Sequence, residues 1–229
     1  MMFKKLLLVS RFALALCSVS CSSINQQTLK TKAHEDEWAN YFIPSGPGAG
    51  VPRETVLEAI KALKKSHKKP SLAIDIGAGN GRDTLAMLEA GWKVVAVDAS
   101  AVGLSQLKEK AQNYASNLTT QIAFYEDMQL PSAGFINAGY ALPFAKKENF
   151  NNIWAKIVTA LKPGGVFYGQ FFGPEDSSPS STSLHSETEI RNNLLKNFDI
   201  LYFTEKKEWG HNKDGKKFWH VFNVVARKR

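Results

Sequence analysis

The chain has 229 residues, of which 44% are apolar, 22% charged and 11% aromatic, and it carries a formal net charge of +8. That length suits one α/β domain with short extensions, and the composition excludes extensive disorder and collagen-like repeats. Both cysteines, Cys17 and Cys21, fall in the first tenth of the chain, which excludes a disulfide framework or a cysteine-based zinc site in the main body; no metal site is expected.

The N-terminus reads as an address. Lys4, Lys5 and Arg11 precede the apolar run Phe12 to Cys17, and the small residues Ser18, Val19 and Ser20 lead to Cys21. A charged region, a short apolar region and small residues before a cleavage point make a secretory signal peptide over residues 1–21, directing the chain to the bacterial envelope or periplasm. Cys21 resembles the lipidated cysteine of bacterial lipoproteins, which would attach the protein to a membrane, although Ser18 stands where that pattern prefers Leu. An unprocessed extension on a cytoplasmic protein is the alternative.

Residues 22–50 read as a polar linker followed by the aromatic cluster Trp38, Tyr41 and Phe42 and a Gly/Pro-rich loop. This segment is either a lid over a site or a helix packed on the outer face. From residue 51 the pattern alternates. Arg53 to Lys65 has helical spacing, Ser71 to Ile76 reads as a strand, Gly81 to Ala90 as a helix, Trp92 to Val97 as a second strand and Ala101 to Ala115 as a helix. Thr120 to Tyr125, Phe135 to Ala138 and Val166 to Phe172 read as further strands, with a helix over Phe150 to Leu161 and a turn at Lys162 to Gly165. A helix over Glu187 to Phe198 precedes two closing strands, Ile200 to Glu205 and Phe218 to Ala226, joined by a loop over Trp209 to Gly215. The expected fold is α/β: a doubly wound, mostly parallel seven-stranded sheet ending in an antiparallel hairpin, formed by residues 51–229.

The basic balance does not point to nucleic acid. Three of the charges lie in the leader, and others cluster at Lys61, Lys64, Lys65, Lys68 and Lys69 and in the tail Arg227, Lys228 and Arg229. No aromatic residues interleave with them as a base-stacking surface requires, so they read as solvated faces.

The chemistry concentrates where the first strand meets its helix. Gly77-Ala78-Gly79-Asn80-Gly81 lets a ligand approach the backbone, but Arg82 stands where the dinucleotide fingerprint needs glycine, and no Gly-Lys-Ser/Thr phosphate loop occurs. Asp75, two residues before Gly77, disfavours a pyrophosphate and favours a cationic ligand. Asp98 ends the second strand, where it can accept both hydroxyls of a ribose, and Ala99 leaves room beside a base; capping of the helix near Ala101 is its structural alternative. Asp127 follows the third strand, where it can take an exocyclic amine while Met128 covers the ring; it could equally just end that strand.

With those residues in place, the sequence resembles the class I S-adenosylmethionine-dependent methyltransferases over Ser71 to Ala226. IDIGAGNGRDT is similar to that family's first motif, VVAVDAS to its second, EDM to its third and LKPGGVFYGQF to the turn and strand after its fourth helix. Within it, GNGRDT followed by LAMLEAGWKVVAVDAS and the closing GKKFWHVFNVVARK resemble the tellurite-resistance and thiopurine type of small-molecule methyltransferase. The resemblance implies S-adenosylmethionine as cofactor, with Gly77, Gly79 and Gly81 along its methionine part, Asp98 on the ribose, Asp127 and Met128 around the adenine, and Asn137 beside the transferable methyl. A non-catalytic S-adenosylmethionine-binding envelope module is the alternative function.

Asn137 is followed by Ala138-Gly139-Tyr140 rather than the Pro-Pro-aromatic signature of DNA-base methyltransferases, so no DNA partner is expected and the acceptor is read as a small molecule. Arg82 and Asp83 either contact ligand or form an ion pair at the helix start. A thiolate acceptor needs no base; for an amine or hydroxyl the candidates are His211, His220 and, more weakly, Tyr140. His220 alternates with Phe218 and Phe222 on one strand face, which favours a packed histidine.

Overall fold

The computed structural model describes residues 51–65, 72–212 and 215–229. The leader, Cys21, and the linker with Trp38, Tyr41 and Phe42 lie outside the described residues, as do Lys68 and Lys69.

Seven strands form one sheet in the order β3-β2-β1-β4-β5-β7-β6. They are β1 (Ala73–Ile76), β2 (Val94–Asp98), β3 (Leu118–Ile122), β4 (Ala133–Ala138), β5 (Leu161–Phe172), β6 (Phe198–Asn212) and β7 (Gly215–Lys228). The first five pair in parallel, and β7 pairs antiparallel with both β5 and β6. The strand order reverses at β1, which lies between β2 and β4, so the crevice at the C-terminal ends of β1, β2 and β4 is the place where a doubly wound sheet takes a ligand.

Four α-helices cover the sheet: α1 (Glu54–Lys65), α2 (Arg82–Glu89), α3 (Ala101–Lys110) and α4 (Phe150–Ala160). Burial on both faces explains the near-continuous apolar strands. On one side Val56, Ile60 and Leu63 of α1, Met87 and Leu88 of α2, and Leu104 and Leu107 of α3 pack with Phe135, Tyr168 and Val225. On the other, Ile153, Trp154 and Ile157 of α4 pack with Ile74, Ile136, Phe167 and Phe171. Strand β4 shows the alternation directly, since Phe135 faces the first core and Ile136 the second. Phe135 also meets Trp92 edge-on at 5.2 Å. Each such side chain contributes about 1.5–3 kcal/mol by leaving water. Among the described residues no helix is long and apolar enough to cross a membrane.

Several boundaries differ from the sequence expectation. The third strand ends at Ile122 rather than Tyr125, because the chain turns back at Phe124, whose carbonyl accepts from the N–H groups of Asp127 and Met128. The helix expected to run to Ala115 stops at Lys110 and gives way to a 3₁₀ segment over Gln112–Asn117; Asn113, Tyr114, Ser116 and Asn117 are weak helix formers. The helix expected from Glu187 to Phe198 is one short turn, Glu187–Glu189, capped by Ser186 and continued by a π segment over Ile190–Leu194. The Trp154 indole takes the Leu194 carbonyl at 3.3 Å and so replaces the helical partner that this carbonyl lacks.

The closing hairpin is longer than its apolar pattern. Trp209 to Asn212, expected in a loop, continue the pairing, with Trp209 opposite Phe218 and His211 opposite Lys216. Cross-strand contacts hold this extension: Trp209 meets Phe218 at 5.3 Å, and Lys216 lies 4.6 Å over the Trp209 ring. Strand β5 ends opposite Val221, so β6 and β7 project beyond the end of the sheet that carries the crevice.

Two glycines separate backbone strain from packing. Both Gly81 (φ 94°) and Gly91 (φ 81°) are left-handed, but a Cβ at Gly81 would stand 2.3 Å from Leu107, whereas one at Gly91 would meet nothing within 4 Å. Gly91→Ala is expected to cost about 1–2 kcal/mol, and Gly81→Ala about 2–4 kcal/mol through the added overpacking. Urea denaturation midpoints of the two variants check the ratio.

Candidate active site

The strand β1 runs into a loop whose three glycines, Gly77, Gly79 and Gly81, all have positive φ. The N–H groups of Gly77 and Ala78 donate to the Val97 carbonyl at 2.8 and 3.1 Å, tying the loop to β2. A Cβ at Gly77 would lie 2.8 Å from the Ala141 Cβ, so the loop after β4 closes directly against the loop after β1. Asp98 locks the arrangement from β2: its Oδ2 accepts from the Gly79 N–H at 2.8 Å and its Oδ1 from the Ser100 N–H at 2.7 Å. Helix α3 is capped by Ser100, whose hydroxyl oxygen accepts from the Gly103 N–H at 3.0 Å, and not by Asp98. Burial raises the Asp98 pKa while the two backbone N–H groups oppose that rise. Each of its oxygens keeps a further lone pair for a ligand.

Asp75 is buried, and both of its oxygens are taken. Thr84 of α2 donates its hydroxyl to Oδ2 at 2.5 Å, and the Asn137 amide at the end of β4 donates to Oδ1 at 2.6 Å. With its amide N–H donating to Asp75, the Asn137 Oδ1 points away. That Oδ1 is buried with no hydrogen-bond partner. It lies 3.4 Å from where a Cβ on Gly139 would stand, beside the Asp83 carboxylate at 3.3 Å. Burial, then the negative charge of Asp83, pushes the Asp75 pKa up to about 7, against the hydrogen bonds from Thr84 and Asn137.

Arg82 and Asp83 do not pair with each other at the helix start. Asp83 is buried and pairs with Arg53 at the start of α1, accepting from both its backbone N–H, at 3.1 Å, and its guanidinium. Arg82 instead donates to the Val51 carbonyl at 2.7 Å. Arg53 lies 5.1 Å from the centroid of the Tyr140 ring, so α1 is fastened over the site by one buried ion pair and one cation–π contact.

On the far side Asp127 is exposed in the turn five residues past β3, its carbonyl accepting from the Gln129 side chain. Met128 is buried in the core on the α4 face and lines an open groove of roughly 600 Å³ with Leu130, Lys156 and Thr159. Ala99 is half-buried beside Asp98. Thr84, Arg53 and Tyr125 were not singled out by the sequence. Tyr125 donates its hydroxyl to the Ala141 carbonyl at 3.0 Å, joining the loops after β3 and β4; nothing in its local sequence separates it from an ordinary strand tyrosine.

The candidate bases part company. His220 is packed, with Nε2 2.9 Å from Glu205, Nδ1 accepting from the Glu175 N–H at 3.2 Å, and Phe222 at 4.9 Å. It faces the opposite side of the sheet from Asn223. His211 is exposed near the tip of the hairpin. Tyr140 lies in the loop after β4, between Gly139, which stands beside Asn137, and Ala141, which closes on Gly77.

Asp75 makes stability depend on pH. Its folded carboxyl holds a proton up to about pH 7, whereas in an unfolded chain it ionises near pH 4, so between these values the folded state binds more protons and stability falls as pH rises. Asp75→Asn keeps an acceptor for Asn137 and lacks the titration. Relative to the parent protein it is expected to gain about 2 kcal/mol between pH 5 and pH 8, read from urea midpoints at both values.

The geometry agrees with the relatives found. Residues 73–165 match the methyltransferase domain family. No curated protein sequence matches the chain. TehB from Haemophilus influenzae superposes with a TM-score of 0.66 at 19% identity, covering 85% of this chain and 67% of that one. The 1,6-didemethyltoxoflavin-N1-methyltransferase of Burkholderia thailandensis, solved with its substrate and S-adenosylhomocysteine, gives 0.55 at 19% identity over 99% of this chain and 93% of that one. The magnesium protoporphyrin IX methyltransferase of Synechocystis, solved with S-adenosylmethionine, gives 0.58 at 16% identity over 85% and 97%. At these identities the likenesses bear on the fold, and the domain match bears on the chemistry. The methyltransferase-domain match over residues 73–165 thus falls on the strands β1 to β4 and the glycine loop and Asp98 that line the crevice, in a seven-stranded sheet with the fold of these methyltransferases.

Proposed function

We propose that the protein binds S-adenosylmethionine over its glycine loop and transfers the methyl group to a small-molecule acceptor. The observation that carries this reading is the buried, unpartnered Oδ1 of Asn137. An acceptor atom left without a donor in a buried site costs about 1–3 kcal/mol, and an ammonium or N–H of a ligand relieves that cost.

The remaining residues fit the same ligand. Gly77, Ala78, Gly79 and Gly81 would line its methionine part, with Asn137 beside the amino group and methyl. Asp98 would accept the ribose hydroxyls on the lone pairs that Gly79 and Ser100 leave over, with Ala99 leaving room for the base. Asp127 would take the exocyclic amine, and Met128 would border the adenine. Asp75, its oxygens held by Thr84 and Asn137, would act on the ligand by setting the orientation of Asn137.

When bound, S-adenosylmethionine supplies a methyl group on a positively charged sulfur: the acceptor's lone pair forms the new bond to carbon while the carbon–sulfur pair returns to sulfur, leaving a neutral thioether. The protein's own part is placement and exclusion of water. Gly77 packed on Ala141 and Tyr125 bonded to the Ala141 carbonyl close the loops around the crevice. His220, held by Glu205 and Glu175, is not the base for an amine acceptor; a thiolate needs none. A small acceptor is supported by relatives whose names specify toxoflavin and protoporphyrin substrates and by the absence of the Pro-Pro-aromatic run after Asn137.

Calorimetry with S-adenosylhomocysteine, then a methyl-transfer panel of thiols, thiopurines, tellurite and selenite, tests this reading. Binding is expected, and Asp98→Ala is expected to weaken it by at least about 10-fold. Absence of binding to the parent protein overturns the reading, and binding without transfer to any acceptor supports a non-catalytic module instead. As part of the same proposal, the leader sends the protein to the envelope. The mass of the mature chain from its native host is expected to lack residues 1–20 and to carry lipid on Cys21; an intact N-terminus overturns this.

A further inference from the structure

The loop after β4 contains an unusual residue. Tyr140 has φ 52°, the one positive φ at a non-glycine position among the described residues. Such a conformation persists only where its surroundings hold it. Here the Tyr140 N–H donates to the buried Oε1 of Gln170 at 2.6 Å, and Arg53 covers one face of the ring. Tyr140 is partly exposed and follows Gly139, which packs against Asn137 and Asp83. It therefore stands at the mouth of the cofactor crevice.

From Tyr140 a row of polar side chains crosses three strands on the face that α1 covers only in part. Gln170 of β5 donates to the Asn223 Oδ1 of β7 at 3.2 Å, and Asn223 donates to the Thr204 hydroxyl of β6 at 3.3 Å. The polarity of the row is fixed from its first member. A backbone N–H can only donate, so the Gln170 oxygen faces Tyr140 and its nitrogen faces Asn223. The Asn223 nitrogen then faces Thr204. Gln170 uses both its hydrogens, on Asn223 and on the Tyr168 hydroxyl. The row accordingly ends in donors, the second N–H of Asn223 and the O–H of Thr204; two residues along β6 on the same face the ammonium of Lys206 is paired with Glu208 at 2.6 Å. Lys206 keeps its proton strongly because of Glu208, with the Tyr140 phenol adding to that effect. Phe144, nearly half exposed, and Trp219 both border Phe172 on this face, at 5.9 and 5.8 Å.

We propose that this face is the acceptor site, in which a flat acceptor lies against Tyr140 and directs a carboxylate or oxo group to the donors of Asn223 and Thr204. The proposal rests on the methyltransferase reading and names the substrate class for it. A ring against Tyr140 would reach the crevice rim formed by Gly139 and Asn137, while its anionic group would satisfy donors that no residue of the row takes up.

The test uses the full chain saturated with S-adenosylhomocysteine, titrated calorimetrically with 4-mercaptobenzoate and with 4-methylbenzenethiol, two flat thiols that differ in the carboxylate. The benzoate is expected to bind about 10-fold more tightly, as hydrogen bonds to a charged group imply. Thr204→Val is expected to remove most of that advantage without changing affinity for S-adenosylhomocysteine, and Tyr140→Ala to weaken both thiols. Equal affinity of the two thiols, binding of neither, or indifference to Thr204→Val overturns the acceptor site. Failure of S-adenosylhomocysteine itself to bind is a separate outcome, and it overturns the methyltransferase reading along with this one.

Discussion

A buried carboxylate at the end of the first strand holds the working end of this protein together. Asp75 sits between the Thr84 hydroxyl from α2 and the Asn137 amide from β4. Burying an ionisable group in the centre of a sheet is unfavourable unless its lone pairs are met. Meeting them fixes the relative positions of α2, β1 and β4, the three elements whose ends frame the crevice. The neighbouring Asp83, paired with Arg53, extends the same polar cluster to α1. Removing any one member would leave another buried group without its partner, which is why the cluster behaves as a unit.

A second latch operates on the neighbouring strand. Asp98 uses both oxygens on backbone N–H groups, one in the glycine loop and one in its own turn. The loop is thereby shaped before any ligand arrives, and the left-handed glycines allow the chain to turn without side chains in the crevice. Preorganisation of this kind reduces the ordering cost of binding. It also makes Asp98, proposed above as the ribose holder, part of the loop's architecture. The loop after β4 repeats the theme at Tyr140, where a strained backbone is held by Gln170 from β5.

Much of this was legible beforehand because strand ends in a doubly wound sheet occur at recognisable places. Asp75, Gly77, Asp98 and Asn137 each stand at the end of an apolar run or just past it, so their convergence followed from the alternation of strands and helices. The partnerships were not legible. Arg53 precedes Asp83 by thirty residues, and the local pattern offered only a ligand contact or an ion pair at the helix start for Arg82 and Asp83. Tyr125 looked like the last residue of a strand, but the chain had already turned. The hairpin was read too short because Trp209-Gly210-His211-Asn212 has turn composition, and only the facing Phe218, Lys217 and Lys216 make those residues pair.

The sequence by itself therefore determined the α/β class, the glycine loop and the acidic strand ends, because periodicity and glycine spacing are local properties of the chain. The tertiary structure decided which polar groups meet: Asp75 with Asn137, Asp83 with Arg53, Tyr140 with Gln170. It also decided that the polar row across β5, β7 and β6 exists at all. Those pairings join residues 30 to 62 positions apart, and their geometry is set by strand register and helix placement, which the whole core fixes and no short stretch of sequence encodes.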